Sequence, residues 1–194
     1  MHRERVIYMA IKVGMVSLGC AKNQVDGDII ARNLIEKGHE TVADMTEADV
    51  CIINTCGFIQ SAKEEAVAIV NTCGFIDSAK QESIDEILEL ATLKKEGRIK
   101  KIVVTGCLAE RYREEIHKEL PEVDGVFGIG ANADIAACIE SAMNDFTESF
   151  PEKSKMPLCG ERELSTPSYF AYIKIAEGCD NKCTYCAIPM IRGG

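Results

Sequence analysis

The chain has 194 residues, 46% of them hydrophobic, a formal net charge of −9 and ten cysteines. The apolar fraction builds a sizeable core, enough for one full domain plus part of another. The acidic balance disfavours non-specific nucleic-acid binding by this segment, although it leaves open a nucleic-acid substrate served by basic surface elsewhere.

Residues 11–18 read as a strand, and Val25–Lys37 as a helix with apolar Ile29, Ile30, Leu34 and Ile35 and a stop at Gly38. A short strand at 40–43 and a buried-type strand at 50–54 follow. Ser78–Lys95 reads as a helix that stops at Gly97. Ile99–Thr105 is a strand, Ala109–Leu120 a helix ending at Pro121, Val123–Phe127 a strand and Ala131–Met143 a helix. Strand-then-helix alternation predicts an α/β fold, a parallel sheet with helices on both faces, over residues 9–145. Residues 146–168 are polar, carry Pro151, Pro157 and Pro167, and read as a linker. A strand at 169–175 then opens a second domain over 169–194, of which only the beginning is present.

Residues 50–66 (VCIINTCGFIQSAKEEA) and 67–83 (VAIVNTCGFIDSAKQES) are a tandem repeat, identical at twelve of seventeen positions. A parallel crossover usually takes a dozen residues or more. One copy is therefore expected in the sheet and the other in a loop or helical excursion.

The cysteines carry the chemistry. No export signal precedes them: the run at 6–11 is short, is followed by Lys12 and lacks a small-residue cleavage site. No segment reaches transmembrane length. The expectation is a cytoplasmic protein, where clustered thiols serve metal or redox chemistry. Near the C-terminus, Cys179, Cys183 and Cys186 form a C-x3-C-x2-C loop. Three thiolates hold three irons of a four-iron cluster and leave the fourth iron open for substrate or cofactor. Structural zinc would want four closed ligands, usually on paired arms, and no second arm follows.

Three further cysteines share one structural address. Cys20 follows the first strand, Cys56 or Cys73 follows a repeated strand, and Cys107 follows another. Loops at the C-terminal ends of parallel strands lie on one sheet edge, where ligands bind. Gly19, Gly57 or Gly74, and Gly106 stand beside them and allow tight turns. The competing reading is three buried structural thiols. Cys51 and Cys138 read as core and Cys159 as incidental. His117 and the acidic run Glu110, Glu114, Glu115 and Glu119 read as solvated helix surface. Gly128-Ile-Gly130 reads as a turn rather than a dinucleotide fingerprint.

Five segments carry a resemblance. They are Ser17-Leu-Gly-Cys-Ala-Lys-Asn-Gln-Val-Asp26, Asn71-Thr-Cys-Gly-Phe-Ile-Asp-Ser-Ala-Lys-Gln-Glu-Ser83, Val104-Thr-Gly-Cys107, Ala171-Tyr-Ile-Lys-Ile-Ala-Glu-Gly-Cys-Asp-Asn-Lys-Cys-Thr-Tyr-Cys-Ala-Ile-Pro189 and Ile191-Arg-Gly193. In this order the chain, from Met9 onward, resembles the radical SAM methylthiotransferases. It is most similar to the branch that modifies an aspartate of a small-subunit ribosomal protein.

The resemblance implies two [4Fe-4S] clusters and S-adenosylmethionine. Cys179, Cys183 and Cys186 would hold the cluster that chelates S-adenosylmethionine, with Tyr185 near its adenine. Reductive cleavage would give a 5′-deoxyadenosyl radical that removes hydrogen from the aspartate β-carbon. Cys20, Cys107 and Cys56, with Cys73 as the alternative to Cys56, would hold an auxiliary cluster that carries the sulfur. A second S-adenosylmethionine would supply the methyl group. The implied partners are the ribosomal protein, an electron donor and a sulfur donor, with no membrane. Ser-Leu-Gly-Cys20 and Ile-Ala-Glu-Gly-Cys179 depart from the wording of the transfer-RNA branch, the runner-up reading.

The family continues past residue 194 with most of a barrel and a small β-barrel domain. The repeat and residues 1–8 are not family features, which suggests a gene fragment or an assembly artefact. The expectation is that residues 1–194 alone do not catalyse methylthiolation. The alternatives are a non-catalytic iron–sulfur or protein-interaction module and, third, a zinc domain.

Overall fold

A computed structural model describes residues 10–17, 21–42, 50–54, 66–72, 77–97, 99–153, 161–164 and 166–194. Seven strands, all parallel, form one sheet: β1 (Lys12–Ser17), β2 (Glu40–Val42), β3 (Val50–Asn54), β4 (Ala66–Thr72), β5 (Ile99–Gly106), β6 (Gly125–Phe127) and β7 (Thr147–Ser149). Their spatial order is β2-β1-β3-β4-β5-β6-β7. The order reverses between β1 and β3, and in sheets of this kind ligands bind beyond the C-terminal strand ends at such a switch point.

Helices α1 (Ala21–Glu36), α2 (Asp77–Lys95), α3 (Cys107–Arg111), α4 (Arg113–Glu119) and α5 (Ile135–Asn144) connect the strands. Alternation along β5 sorts its side chains between two cores. Ile102 and Val104 pack with Ile87 and Leu90 of α2, Leu108 of α3 and Ile116 of α4. Val103 packs on the other face with Phe127, Ile30 and Leu34 of α1, and Ile135 and Ile139 of α5. Helices therefore cover both faces, as the alternating pattern predicts. Helices α1 and α2 end at Gly38 and Gly97, as read from sequence.

Several expectations are corrected. Both repeat copies supply strands, and they are neighbours. β3 pairs with β4 from Val50↔Val67 to Asn54↔Asn71, so each residue meets its own duplicate. Both copies are apolar in sequence, the composition usual for central strands of a parallel sheet. The eleven residues from 55 to 65 that join them lie outside the described residues. That length is at the lower limit for a crossover, and the sheet accepts it.

The sheet also runs past residue 145 into the predicted linker. β7 pairs with β6 although its sequence, Thr-Glu-Ser, has no apolar pattern. Backbone bonds hold it: the Thr147 N–H donates to the Asp124 carbonyl at 3.1 Å and the Gly128 N–H to the Ser149 carbonyl at 2.9 Å. Residues 169–175 form no strand. No neighbouring strand is present among the described residues to take up the backbone groups that a strand must pair. The helix read over 109–120 breaks at Tyr112 into α3 and α4, and that over 131–143 begins as a 3-10 turn, Ile129–Asp134.

Cys138 lies against the α1/α5 core, as read from sequence. Burial first, and Asp134 second, push its thiol up to about 11 from the usual 9.0. The fold thus favours the protonated thiol. The unfolded chain ionises earlier, so this contribution to stability is present below pH 9 and declines as pH rises toward 11. At pH 8, Cys138 is expected to alkylate with iodoacetamide far more slowly than exposed Cys183. Equal rates would contradict the assignment.

Candidate metal centre

Cys107 stands at the C-terminal end of β5 and begins α3. Gly106 turns the chain there with φ +96°, a left-handed conformation that favours glycine. Cys107 is buried with Ile129 and Ile191, beside Ala187. Ile191 belongs to α6 (Ile188–Arg192), which begins just after the cysteine loop. The loop is thereby packed onto the sheet edge. Lys153 reinforces this contact: its Nζ donates to the Met190 and Ile191 carbonyls at 3.1 and 2.8 Å and pairs with Glu110 at 2.9 Å.

Glu110 is therefore not on the solvated face assigned to it. Its carboxylate also accepts the Ile129 N–H at 3.0 Å. His117 does lie at the surface, its ring 4.6 Å from that of Phe146.

A buried charge cluster fastens the loop. Arg192 Nη1 donates to Asp26 Oδ2 of α1 at 2.9 Å and to Glu177 Oε1 at 2.5 Å. Lys174 Nζ pairs with Asp26 Oδ1 at 3.2 Å and Glu177 Oε2 at 2.6 Å. Arg192 Nη2 donates to Cys107 Sγ at 3.2 Å. The Arg192 side chain is 2% exposed and that of Lys174 0%. Two cations face two carboxylates, which is what makes such burial tolerable. Burial works against the Arg192 charge, but Asp26, Cys107 and Glu177 outweigh it and hold the guanidinium above its usual range. Burial likewise raises Glu177, and Lys174 and Arg192 reverse it, so its carboxyl titrates below the usual range.

Backbone contacts complete the docking. The Cys179 N–H donates to the Gly193 carbonyl at 3.0 Å, and Lys22 Nζ of α1 donates to the Glu177 carbonyl at 2.5 Å. Gly178 runs so close to Gly193 that a β-carbon would collide with the Gly193 carbonyl oxygen.

Within the loop, the Cys186 N–H donates to the Cys183 carbonyl at 3.1 Å and closes a turn. Cys179 and Cys186 are half-buried and Cys183 is exposed. Tyr185, on that turn, is 90% exposed and available to a ligand. Among the described residues, no three Cys, His, Asp or Glu side chains converge into a metal-holding group. The donor chemistry fits an iron–sulfur cluster, since soft thiolates on one short turn are its usual ligands. Cys20, Cys56, Cys73 and Cys159 lie outside the described residues, as does the Cys51 side chain.

The strand ends do bear on the first three of these. Asn54, Asn71 and Thr105 are successive register partners across β3, β4 and β5. Cys56, Cys73 and Cys107 each come two residues later in the chain. Cys20 comes three residues after Ser17, the register partner of Asn54.

Sequence reasoning missed the charge cluster as a unit. Its signal was present, because Asp26, Lys174, Glu177 and Arg192 all fall within the segments that carry the resemblance. Only the cysteines in those segments had a chemical role.

Residues 12–69 and 62–128 match the family described as Uncharacterized protein family UPF0004. The two matches overlap at 62–69, so their seam falls in the repeat. The chain is 44% identical over 191 residues to the ribosomal protein uS12 methylthiotransferase RimO of Clostridioides difficile (strain 630), covering 94% of this chain and 38% of the relative. It is 45% identical over 194 residues to the protein of that name from Acetivibrio thermocellus, covering 95% and 39%. For the Anaeromyxobacter sp. (strain K) protein the values are 44% over 190 residues, 96% and 36%. The chain thus spans less than two-fifths of the length of these curated relatives.

Proposed function

We infer the function from the fact that this chain belongs to the family described as Uncharacterized protein family UPF0004 and is RimO-like over nearly its whole length. We propose that it serves methylthio transfer to the β-carbon of an aspartate in ribosomal protein uS12. The observation that carries this reading is the 44% identity to a uS12 methylthiotransferase over 94% of the chain.

Cys179, Cys183 and Cys186 would hold one four-iron cluster. Cys20, Cys107 and one of Cys56 or Cys73 would hold the other. When bound, such clusters supply an electron for cleaving S-adenosylmethionine and an open iron for a sulfur ligand. Two features support this reading. Cys107 follows the end of β5, and α6 with the charge cluster packs the Cys179–Cys186 loop beside it. Exposed Tyr185 is assigned to the adenine of S-adenosylmethionine.

Residues 1–194 alone are assigned cluster binding without turnover. The cytoplasm is the assigned compartment, and no helix among the described residues is long and apolar enough to cross a membrane.

The substrate assignment is tested by anaerobic titration of the reconstituted chain with ribosomal protein uS12 and, separately, with bulk transfer RNA. Saturable binding to the protein and none to the RNA is expected, in keeping with the net charge of −9. Binding to transfer RNA alone would transfer the assignment to the RNA-modifying branch. Methylthio transfer by residues 1–194 would overturn the statement on turnover.

A further inference from the structure

We propose that Arg192 is a positioning residue that locks the cysteine loop against Cys107 and donates a hydrogen bond to the sulfur that Cys107 presents to a cluster. The second half rests on the reading under Proposed function. The first rests on geometry alone.

Arg192 joins both halves of the chemistry through hydrogen bonds. One of its nitrogens reaches Asp26 of α1 and Glu177 at the start of the cysteine loop. The other reaches Cys107 at the end of β5. Its partners lie 166, 15 and 85 residues away in sequence. A single planar fork thus fixes α1, the loop and β5 relative to one another. Lysine cannot do this, because it offers a point charge and not two divergent arms.

The charge arithmetic supports a role beyond fastening. Asp26 and Glu177 are already matched by Arg192 and Lys174. The arm on Cys107 is therefore not needed to neutralise a carboxylate. Arg192 Nε is also buried with no hydrogen-bond partner. Burying that donor carries a cost. The sulfur contact gives the arrangement its purpose, since hydrogen bonds to cluster sulfurs raise the reduction potential by stabilising the more negative, reduced state.

Two variants separate the halves. Arg192→Met removes the fork, and Arg192→Lys keeps the charge but loses the second arm. Hydrogen exchange is followed on the metal-free chain at the Cys179 amide, which bonds to the Gly193 carbonyl. Loss of a partner from a buried charge pair should raise its opening on the order of a hundredfold in Arg192→Met. Cys107, 1% exposed, should become open to alkylation in the same variant. Far-UV circular dichroism establishes that the sheet is retained. Should Arg192→Met fail to fold, Lys174→Met, which leaves the Arg192 fork in place, is compared with Asp26→Asn, which weakens it. Faster exchange in Asp26→Asn than in Lys174→Met supports the lock.

The sulfur bond is read from the midpoint potential of the cluster held by Cys107, with Cys179, Cys183 and Cys186 replaced by alanine. Arg192→Lys should shift that potential to more negative values, which a merely structural role would not do. Wild-type exchange at Cys179 in Arg192→Met overturns the lock. An unshifted potential in Arg192→Lys overturns the sulfur bond. Absence of any iron would instead overturn the cluster reading, and the exchange result would still decide the lock.

Discussion

Alanine at both Cys56 and Cys73 is expected to lower the iron held after reconstitution from about eight to about four per chain. Either substitution alone should leave the count unchanged. The repeat supplies the same Asn-Thr-Cys-Gly twice, and the strands that precede the two cysteines are register partners along their length. On the proposed reading, either of two cysteines that follow paired strand ends would serve as the third auxiliary thiolate. Loss of iron in Cys73→Ala alone would show that the copies are not equivalent and that the second is the ligand. Loss in Cys56→Ala alone would assign the first.

Phe127→Ala is expected to destabilise the chain by about 3–5 kcal/mol. Phe127 is fully buried where β6 meets α1 and α5, among Val13, Ile30, Leu34, Val103 and Ile135. Removing the ring takes apolar area out of the core and leaves a cavity that three elements would have to collapse to fill. Leu88→Ala is the control, since Leu88 is exposed and its loss should cost less than about 0.5 kcal/mol. Urea unfolding checks both. An equal loss for the two would place Phe127 outside the core.

The parallel sheet, its two helical layers and the place of Cys107 after β5 were legible because each rests on local pattern. Apolar runs of β5 and the amphipathic face of α1 announce themselves over a few residues. β7 was not legible, because Thr147, Glu148 and Ser149 join the sheet through backbone bonds and not through side-chain pattern. The pairing of β3 with β4 was missed because the usual crossover length was treated as a bound, whereas eleven residues suffice here. Residues 169–175 show the opposite error. They have strand composition, but a strand exists only where another can pair with it.

The charge cluster was hidden for a third reason. Asp26, Lys174 and Arg192 come together only through the tertiary fold, and nothing about each residue alone marks it as buried. Burial turns four ordinary surface-type side chains into the fastening of the loop.

Anaerobic reconstitution with iron and sulfide, followed by iron counting and EPR of the reduced chain, decides whether this chain holds two clusters. About eight irons per chain and the spectrum of reduced four-iron clusters are expected. No iron, or tightly bound zinc in its place, would contradict it.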